Sequence, residues 1–172
     1  KGTCGNNTSL QASASRSSKI SPPPFMAGMA EVEIDTETGA IELLDYVAVA
    51  DCGTPINPNL ARVQIEGGLA QGIGMALYED IQYNEKGQLR NNSLMQYKIP
   101  SRQDVGKIRV DFAPSYEKSH PFGAKSIGEI VINTPCPAIA NAVYNAVGVR
   151  IREMPITAEK IAMELLERQE SK

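Results

Sequence analysis

The alternation of apolar and polar side chains predicts a β-hairpin in the first third of the chain. Val32 and Ile34 alternate with acidic residues, which is the period of a half-buried strand. The stretch DTETG that follows has the composition of a turn, in which Gly39 supplies a positive φ. Residues 41–50 form the second predicted strand, and because residues 46–50 have no polar face, we expect them to be buried on both sides.

Three later stretches are predicted to be helices. The first, NLARVQIEGGLAQGIGMALYED, has helical length, and Asn57 or its own first residue, Asn59, is the candidate N-cap. The second begins at Pro137 and ends at Gly148, because proline favours the first turn of a helix and glycine its C-terminal cap. The third follows Thr157, which is its predicted N-cap.

The remaining pattern completes a mixed α+β fold. Residues 81–83 and 88–90 flank the turn NEKG and predict a second hairpin, and residues 108–112 alternate as a further strand. We therefore expect a mixed sheet with hairpins and about three helices. Residues 1–24 are rich in Ser, Asn and Gly and have no hydrophobic period, so we expect a flexible or extended segment ahead of a folded unit at residues 25–172.

Composition and charge limit the classes of partner. The 172 residues carry a net charge of −3, which does not supply the basic surface that nucleic acid requires. No apolar run reaches the roughly 18 residues of a membrane span, and the first residues lack the apolar core of a signal peptide. Cys4, Cys52 and Cys136 are widely spaced without a CxxC pair, so we expect free thiols in a reducing cytoplasm and no structural zinc site. The single histidine, His120, is expected to be structural or exposed.

The glycines of the first predicted helix indicate a close approach by another part of the molecule. Four glycines lie between positions 67 and 74, and each costs about 1 kcal/mol relative to alanine in a helix. Their spacing alone favours close helix packing, although a ligand could use the same space. No GK[ST] follows, which excludes a Walker loop. Gln64 and Gln71 share one helix face, and their amides would bind nearby backbone or a polar heterocycle.

The stretch GAKSIGE combines small residues, one cation and one carboxylate. Gly123, Ser126 and Gly128 allow backbone amides to turn inward, as they do in anion-binding nests, and Lys125 adds positive charge. Glu129 is then either an exposed acid on a loop or a base held near a ligand. Composition alone favours the exposed acid.

Together these stretches resemble the xanthine dehydrogenase/aldehyde oxidase family of molybdenum hydroxylases. The resemblance covers about residues 24–165 and is carried by AEVEIDTETGAIELLDYVAVADCGTPINP, QIEGGLAQGIGMALYEDI, YKIPS, FGAKSIGE and PAIANAVYNAVGVRIREMPIT, which follow the family's order. It implies that the chain is the C-terminal part of a larger molybdopterin-binding domain. The remainder of that molybdenum subunit would complete the pocket, so the isolated chain would be inactive.

The resemblance also implies a cofactor, partners and residue roles. The cofactor would be molybdopterin, as its cytosine dinucleotide, held without protein ligands to the metal. The small-molecule substrate would be an N-heterocycle or an aldehyde that is hydroxylated with water-derived oxygen. Electrons would leave through iron–sulfur clusters and FAD on partner domains or subunits. Glu129 matches the family's general base. The residues that match cofactor-binding positions are Gln64, Lys125, Ser126, Ile127 and Gly128.

One departure from the family concerns the residues after the candidate base. Many members read GVGEPP where this chain reads SIGEIV, so the loop exit lacks two prolines. Ile127 and residues 130–132 flank Glu129 and are expected to limit its contact with solvent. Two alternatives to the enzyme remain at this point: a non-catalytic remnant or assembly module that keeps the fold without the cofactor, and a nucleotide-binding domain that uses the helix glycines.

Overall fold

The computed structural model describes residues 12–15 and 17–170, with the backbone alone at Glu170. Cys4 and part of the predicted N-terminal segment therefore lie outside the described residues, and the boundary near residue 24 stays a prediction. Within that segment, residues 12–15 and 17–24 form no helix or strand. In chain order the elements are β1 (Phe25–Ile34), β2 (Ile41–Asp51), α1 (Pro58–Leu77), β3 (Lys107–Phe112), α2 (Pro135–Val147) and α3 (Ala158–Glu170).

The predicted first hairpin is confirmed. β1 and β2 pair in antiparallel register, with a bulge between Glu31 and Val32. In the turn, the Asp35 carboxylate accepts a hydrogen bond of 2.8 Å from the N–H of Glu37. Gly39 has a φ of +74°, and a Cβ there would overlap the backbone of Ala158 at the start of α3. Glycine is thus required both by the turn and by its contact with α3.

β3 adds to the other side of β2 and makes the sheet mixed. It runs parallel to β2, from Asp45 opposite Lys107 to Ala50 opposite Phe112, and the strand order is β1-β2-β3. A parallel neighbour requires a long connection, which here contains α1 and residues 78–106. The predicted α+β architecture with three helices is confirmed.

Among the residues that the structure describes, the helices cover one face of the sheet, which corrects the prediction that residues 46–50 are buried on both sides. Tyr46, Ala48 and Ala50 are fully buried and pack with residues of α1, whereas Val49 is 40% exposed. The reason is that successive side chains of a strand point to opposite faces, and only one face meets the helices. On the other face Met29 is 70% exposed.

Each helix begins and ends close to its predicted residues. Asn57 caps α1, because its side chain accepts a 3.1 Å hydrogen bond from the N–H of Leu60. α2 begins at Pro135, so the predicted start at Pro137 is wrong by two residues. Both prolines are tolerated because N–H groups of the first turn have no helical acceptor. Gly148 ends α2 with a φ of +72°, as predicted.

The other local predictions are confirmed in part. Thr157 caps α3 by accepting a 3.3 Å hydrogen bond from the N–H of Lys160. The second predicted hairpin is reduced to one isolated antiparallel bridge, between Tyr83 and Leu89. Among residues 12–15 and 17–170, no helix is long and apolar enough to cross a membrane.

Candidate functional site

A groove of about 370 Å³ lies between the N-terminal half of α1 and the loop that contains GAKSIGE. One wall is formed by residues 52–57 and the first two turns of α1. The other wall is formed by residues 124–128. The residues that matter most for its chemistry are Thr54, Asn57, Leu60, Gln64, Ile127 and Gly128.

The two walls are joined by backbone hydrogen bonds. The N–H of Lys125 donates to the carbonyl of Cys52 at 2.7 Å, and the N–H of Thr54 donates to the carbonyl of Gly123 at 2.9 Å. Gly53 lies between them with a φ of +66°, and a Cβ there would overlap the Gly123 carbonyl. This close approach fixes the start of the GAKSIGE loop against the end of β2.

The structure brings Gln64 and Gly128 together, although they are 64 positions apart in the chain. Gln64 lies on the exposed face of α1, and its Nε2 is 3.5 Å from the point where a Cβ of Gly128 would stand. The Gln64 amide forms no hydrogen bond with any residue in the described ranges, so its polar atoms are available to a ligand. Gln71 is also exposed but does not line the groove.

The loop also presents unpaired backbone donors. The N–H groups of Ala124 and Lys125 donate to Pro121 and Cys52. By contrast, the N–H groups of residues 126–129 donate to no acceptor in the part of the chain that the structure describes. Such a run of free N–H groups beside a groove suits an acceptor-rich ligand. The predicted inward turn is found at Gly123, with a φ of +73°, whereas Gly128 does not have a positive φ.

Lys125 does not offer a free positive charge to the groove, which corrects the prediction made from composition. Its Nζ is 2.6 Å from a carboxylate oxygen of Asp51, and its side chain is only 8% exposed. The ammonium also lies 5.3 Å from the centre of the Phe25 ring. The Lys125 hydrogen bond, followed by that of the Ser115 hydroxyl, lowers the pKa of Asp51 to about 2. The charge of Lys125 is therefore neutralised within the fold.

Glu129 and Ser126 are exposed beside the groove and do not line it. The carboxylate of Glu129 has no hydrogen bond or ion pair with the described residues, while its carbonyl accepts a 3.2 Å hydrogen bond from Asn133. The expectation that flanking apolar residues limit solvent at Glu129 is wrong for this chain, because Ile130 and Val131 are buried in the core. Of the predicted binding residues, Gln64, Lys125, Ile127 and Gly128 line the groove.

Close packing explains two of the glycines of α1, as their spacing predicts. A Cβ at Gly68 would overlap the side chain of Val131, and one at Gly72 would lie 2.6 Å from the ring of Pro135. These glycines let the residues just before α2 approach α1 closely. Gly67, however, has nothing within 4 Å of its Cβ position. Within the described residues, no group of three or more His, Cys, Asp or Glu side chains could hold a metal ion.

Sequence reasoning missed the role of residues 52–57 as a wall of the groove. Within this segment Cys52 is buried, with 4% exposure. The sequence signal for this wall is DCGTPINP, in which Gly53, a residue that allows a sharp turn, precedes the helix cap Asn57. Its pairing partner, the GAK segment, is too distant in sequence to be recognised from local pattern. The ring nitrogen of His120, which is partly buried, lies 3.1 Å from the carbonyl of Ile20.

The sequence of the chain matches a known family of cofactor-binding domains. The model of the molybdopterin cofactor-binding domain matches residues 5–106, more than half of the chain. The chain belongs to this family. The resemblance to xanthine dehydrogenases and aldehyde oxidases is thereby confirmed, as is molybdopterin as the family's cofactor.

The individual relatives are named as oxidases and oxidoreductases. The chain is 43% identical to the probable hypoxanthine oxidase XdhD of Escherichia coli, over 80% of the chain and 14% of that protein. It is 35% identical to the aldehyde oxidoreductase molybdenum-binding subunit PaoC of Escherichia coli, over 80% of the chain and 19% of that protein. Quinoline 2-oxidoreductase from Pseudomonas putida 86 matches with a TM-score of 0.74 and 40% identity, over 79% of the chain and 18% of that structure's chain. The chain thus spans less than a fifth of the length of each.

Proposed function

We propose that this chain forms one wall of the molybdopterin site of a molybdenum hydroxylase that oxidises an N-heterocycle or an aldehyde. The observation that carries the proposal is the approach of the Gln64 amide to the Gly128 backbone across a groove. The named substrates of the three relatives, hypoxanthine, an aldehyde and quinoline, support this range of substrates. Because the chain spans less than a fifth of each of these relatives, we also propose that it is one part, the C-terminal one, of a longer molybdenum-binding subunit.

The groove fits a flat, polar, acceptor-rich cofactor. A pterin ring has hydrogen-bonding edges that a free glutamine amide can bind, and Gly128, which has no side chain, lets the loop backbone lie close to that amide. The free N–H groups of residues 126–128 suit phosphate or carbonyl oxygens. In this proposal Gln64, Ser126, Ile127 and Gly128 hold the cofactor, and Lys125 contributes its backbone. Bound molybdopterin would supply the redox centre for hydroxylation.

Glu129 is the residue of this chain proposed to move a proton. A general base needs an atom that is free to accept a proton, and the carboxylate of Glu129 has no hydrogen bond or ion pair with the described residues. Its oxygen would accept the proton of the water-derived nucleophile while the neighbouring N–H groups orient the cofactor. A base in position contributes a factor of about 10²–10⁴ to the rate.

The test is a Glu129→Gln substitution in the complete enzyme. Glutamine keeps the shape of the side chain but cannot accept the proton at neutral pH. The rate of enzyme reduction by substrate, normalised to bound molybdenum, should fall by about 10²–10⁴ while the molybdenum content stays unchanged. Glu153→Gln, at an exposed position before α3, is the matched control. Rates that agree within a few-fold would leave Glu129 as an exposed loop acid.

The proposal extends to the form of the cofactor and to partners. We propose molybdopterin cytosine dinucleotide, with iron–sulfur clusters and FAD on partner domains or subunits, in a cytoplasmic complex. The naming of PaoC as a molybdenum-binding subunit supports an assembly of several subunits. Acid hydrolysis of the purified complex should release a cytidine nucleotide in proportion to molybdenum. The 172-residue chain alone should not turn over any substrate, because it supplies only one wall of the site.

One observation favours the alternative of a non-catalytic module. The cation of GAKSIGE is already paired with Asp51, and the carboxylate of Glu129 is exposed. A remnant that keeps the fold without its cofactor would have the same features. Molybdenum and pterin analysis of the natural complex separates the two functions, since a remnant would contain neither.

A further inference from the structure

The carboxylate of Asp51 joins three separate segments beside the groove. Asp51 is the last residue of β2, and its oxygens accept hydrogen bonds from the Lys125 ammonium at 2.6 Å and from the N–H of Gly53 at 3.1 Å. The Ser115 hydroxyl, on the segment after β3, also donates to it. A single side chain therefore connects the strand end, the 113–117 segment and the GAKSIGE loop.

Lys125 is held at both its backbone and its side chain. The backbone N–H is bound to Cys52, and the ammonium is bound to Asp51 beneath the Phe25 ring. Because the side chain is 8% exposed, the ammonium has little access to water as a substitute for the carboxylate. Asp51 is thus the main electrostatic partner that keeps Lys125 in its observed position.

The four residues after Lys125 depend on this anchor. The N–H groups of residues 126–129 are bound to nothing else in the described part of the chain. Within the run, the side chain of Ile127 is partly buried against the core. After it, the N–H of Ile130 donates to the carbonyl of Ile127 at 3.4 Å, and the side chain of Val131 is buried. The position of Gly128 opposite Gln64 is therefore set by Lys125 on one side and by the core on the other.

We propose that Asp51 is a positioning residue, which by holding Lys125 sets the place of residues 126–129 relative to Gln64. It acts through Lys125 and does not itself line the groove. The consequence for cofactor binding rests on the function proposed above, whereas the positioning can be measured without any cofactor.

The first experiment measures positioning in the 172-residue chain by NMR. The readout is the nuclear Overhauser contact between the Gln64 side-chain amide protons and the Hα protons of Gly128. We expect this contact to be lost in Asp51→Asn and in Lys125→Met. The second variant removes the ammonium but keeps the alkyl chain, so it leaves no unpaired buried cation. A retained contact in a folded Lys125→Met chain overturns the proposal.

The chain offers a matched control on the same strand. Asp45 of β2 forms the other described ion pair, with Arg109 at 2.8 Å, and this pair lies on the sheet away from the groove. Asp45→Asn should keep the contact between Gln64 and Gly128. If Asp45→Asn removes it as well, the loop responds to general loss of charge on β2, and the specific role of Asp51 is rejected.

The double variant Asp51→Asn/Lys125→Met separates positioning from stability. It removes both charges, so the midpoint of urea unfolding should recover toward wild type. If the ion pair served stability alone, the contact between Gln64 and Gly128 would recover together with the unfolding midpoint. That result would overturn the proposal. The positioning role predicts recovered stability without the contact.

The same variants in the complete enzyme report on the proposed function separately. Lys125→Met should lower the rate of enzyme reduction by substrate, normalised to bound molybdenum, at least tenfold, while Asp45→Asn should not. If the NMR contact is lost but molybdenum content and rate are unchanged, the positioning role stands and the proposed cofactor site is wrong.

Discussion

The Gln64 side-chain amide and the backbone of Gly128 face each other across the groove, with Nε2 3.5 Å from the Cβ position of Gly128. This distance is ordinary van der Waals contact, so a methyl group would fit there without displacing the amide. A larger side chain would instead fill the space in front of Gln64. The two residues therefore define a gap whose width can be changed by substitution at one position.

The first prediction uses this gap. Gly128→Ala should change the free energy of unfolding by no more than about 0.5 kcal/mol, because the site is exposed and does not need a positive φ. Gly128→Leu should be similarly stable but should lower the molybdenum and pterin content of the complete enzyme. Urea unfolding and metal analysis provide the two measurements. Full cofactor content in Gly128→Leu would show that the gap is not occupied.

The second prediction concerns the amide itself. Gln64→Ala should weaken cofactor binding by about 1–3 kcal/mol, because a polar ring edge would lose its partner. Gln71→Ala is the control, since Gln71 lies seven residues further along the same exposed face and outside the groove. Pterin and molybdenum content after gel filtration distinguish the variants. Equal content in both variants would argue against a contact at Gln64.

The third prediction separates the two adjacent glycines of α1. Gly67→Ala should raise the free energy of unfolding by up to about 1 kcal/mol, because its Cβ meets nothing and alanine favours the helix. Gly68→Ala should lower it by about 1–3 kcal/mol, because its Cβ would overlap the buried side chain of Val131. Urea denaturation of the chain measures both. Changes of the same sign would contradict the packing described for α1 and the residues before α2.

Local signals account for the parts of the fold that the sequence predicts well. The β1–β2 hairpin follows from alternation and from DTETG, and the ends of α1 and α2 follow from Asn57 and Gly148. The start of α2 is less certain from sequence, because Pro135 and Pro137 are both compatible with a first turn. The parallel pairing of β3 with β2 has no local signal, since the partners are about 60 residues apart.

In the site too, local motifs predict individual residues, whereas contacts between distant segments have no local signal. Motif matching selected Gln64 and the loop at 125–128, and the structure brings Gln64, Lys125, Ile127 and Gly128 to one groove. The pairing of Lys125 with Asp51 could not be predicted, because it depends on the fold bringing GAK against the end of β2. The exposure of Glu129 agrees with its composition-based interpretation as a loop acid, whereas its apolar neighbours indicate the opposite. Which way those side chains turn is decided by packing against α1.

The last prediction is the pH dependence that Asp51 gives to stability. Its pKa is lowered from 3.8 to about 2 in the folded chain, chiefly by the hydrogen bond from Lys125. A lowered folded-state pKa means that the unfolded chain binds the proton more readily. The contribution of Asp51 is therefore fully present above about pH 5 and is lost as the pH falls from about 4 toward 2. Its size should be about 2 kcal/mol.

The measurement compares wild type with Asp51→Asn by urea unfolding between pH 6 and pH 2. The difference in free energy of unfolding should stay constant from pH 6 to about pH 5 and then shrink by about 2 kcal/mol toward pH 2. Asparagine cannot ionise, so the variant lacks the contribution of Asp51 at every pH. The difference between the two proteins therefore separates this contribution from those of the other carboxylates. If the difference does not depend on pH, Lys125 does not hold the Asp51 carboxylate in its charged form. The ion pair that anchors the GAKSIGE loop would then contribute little in solution.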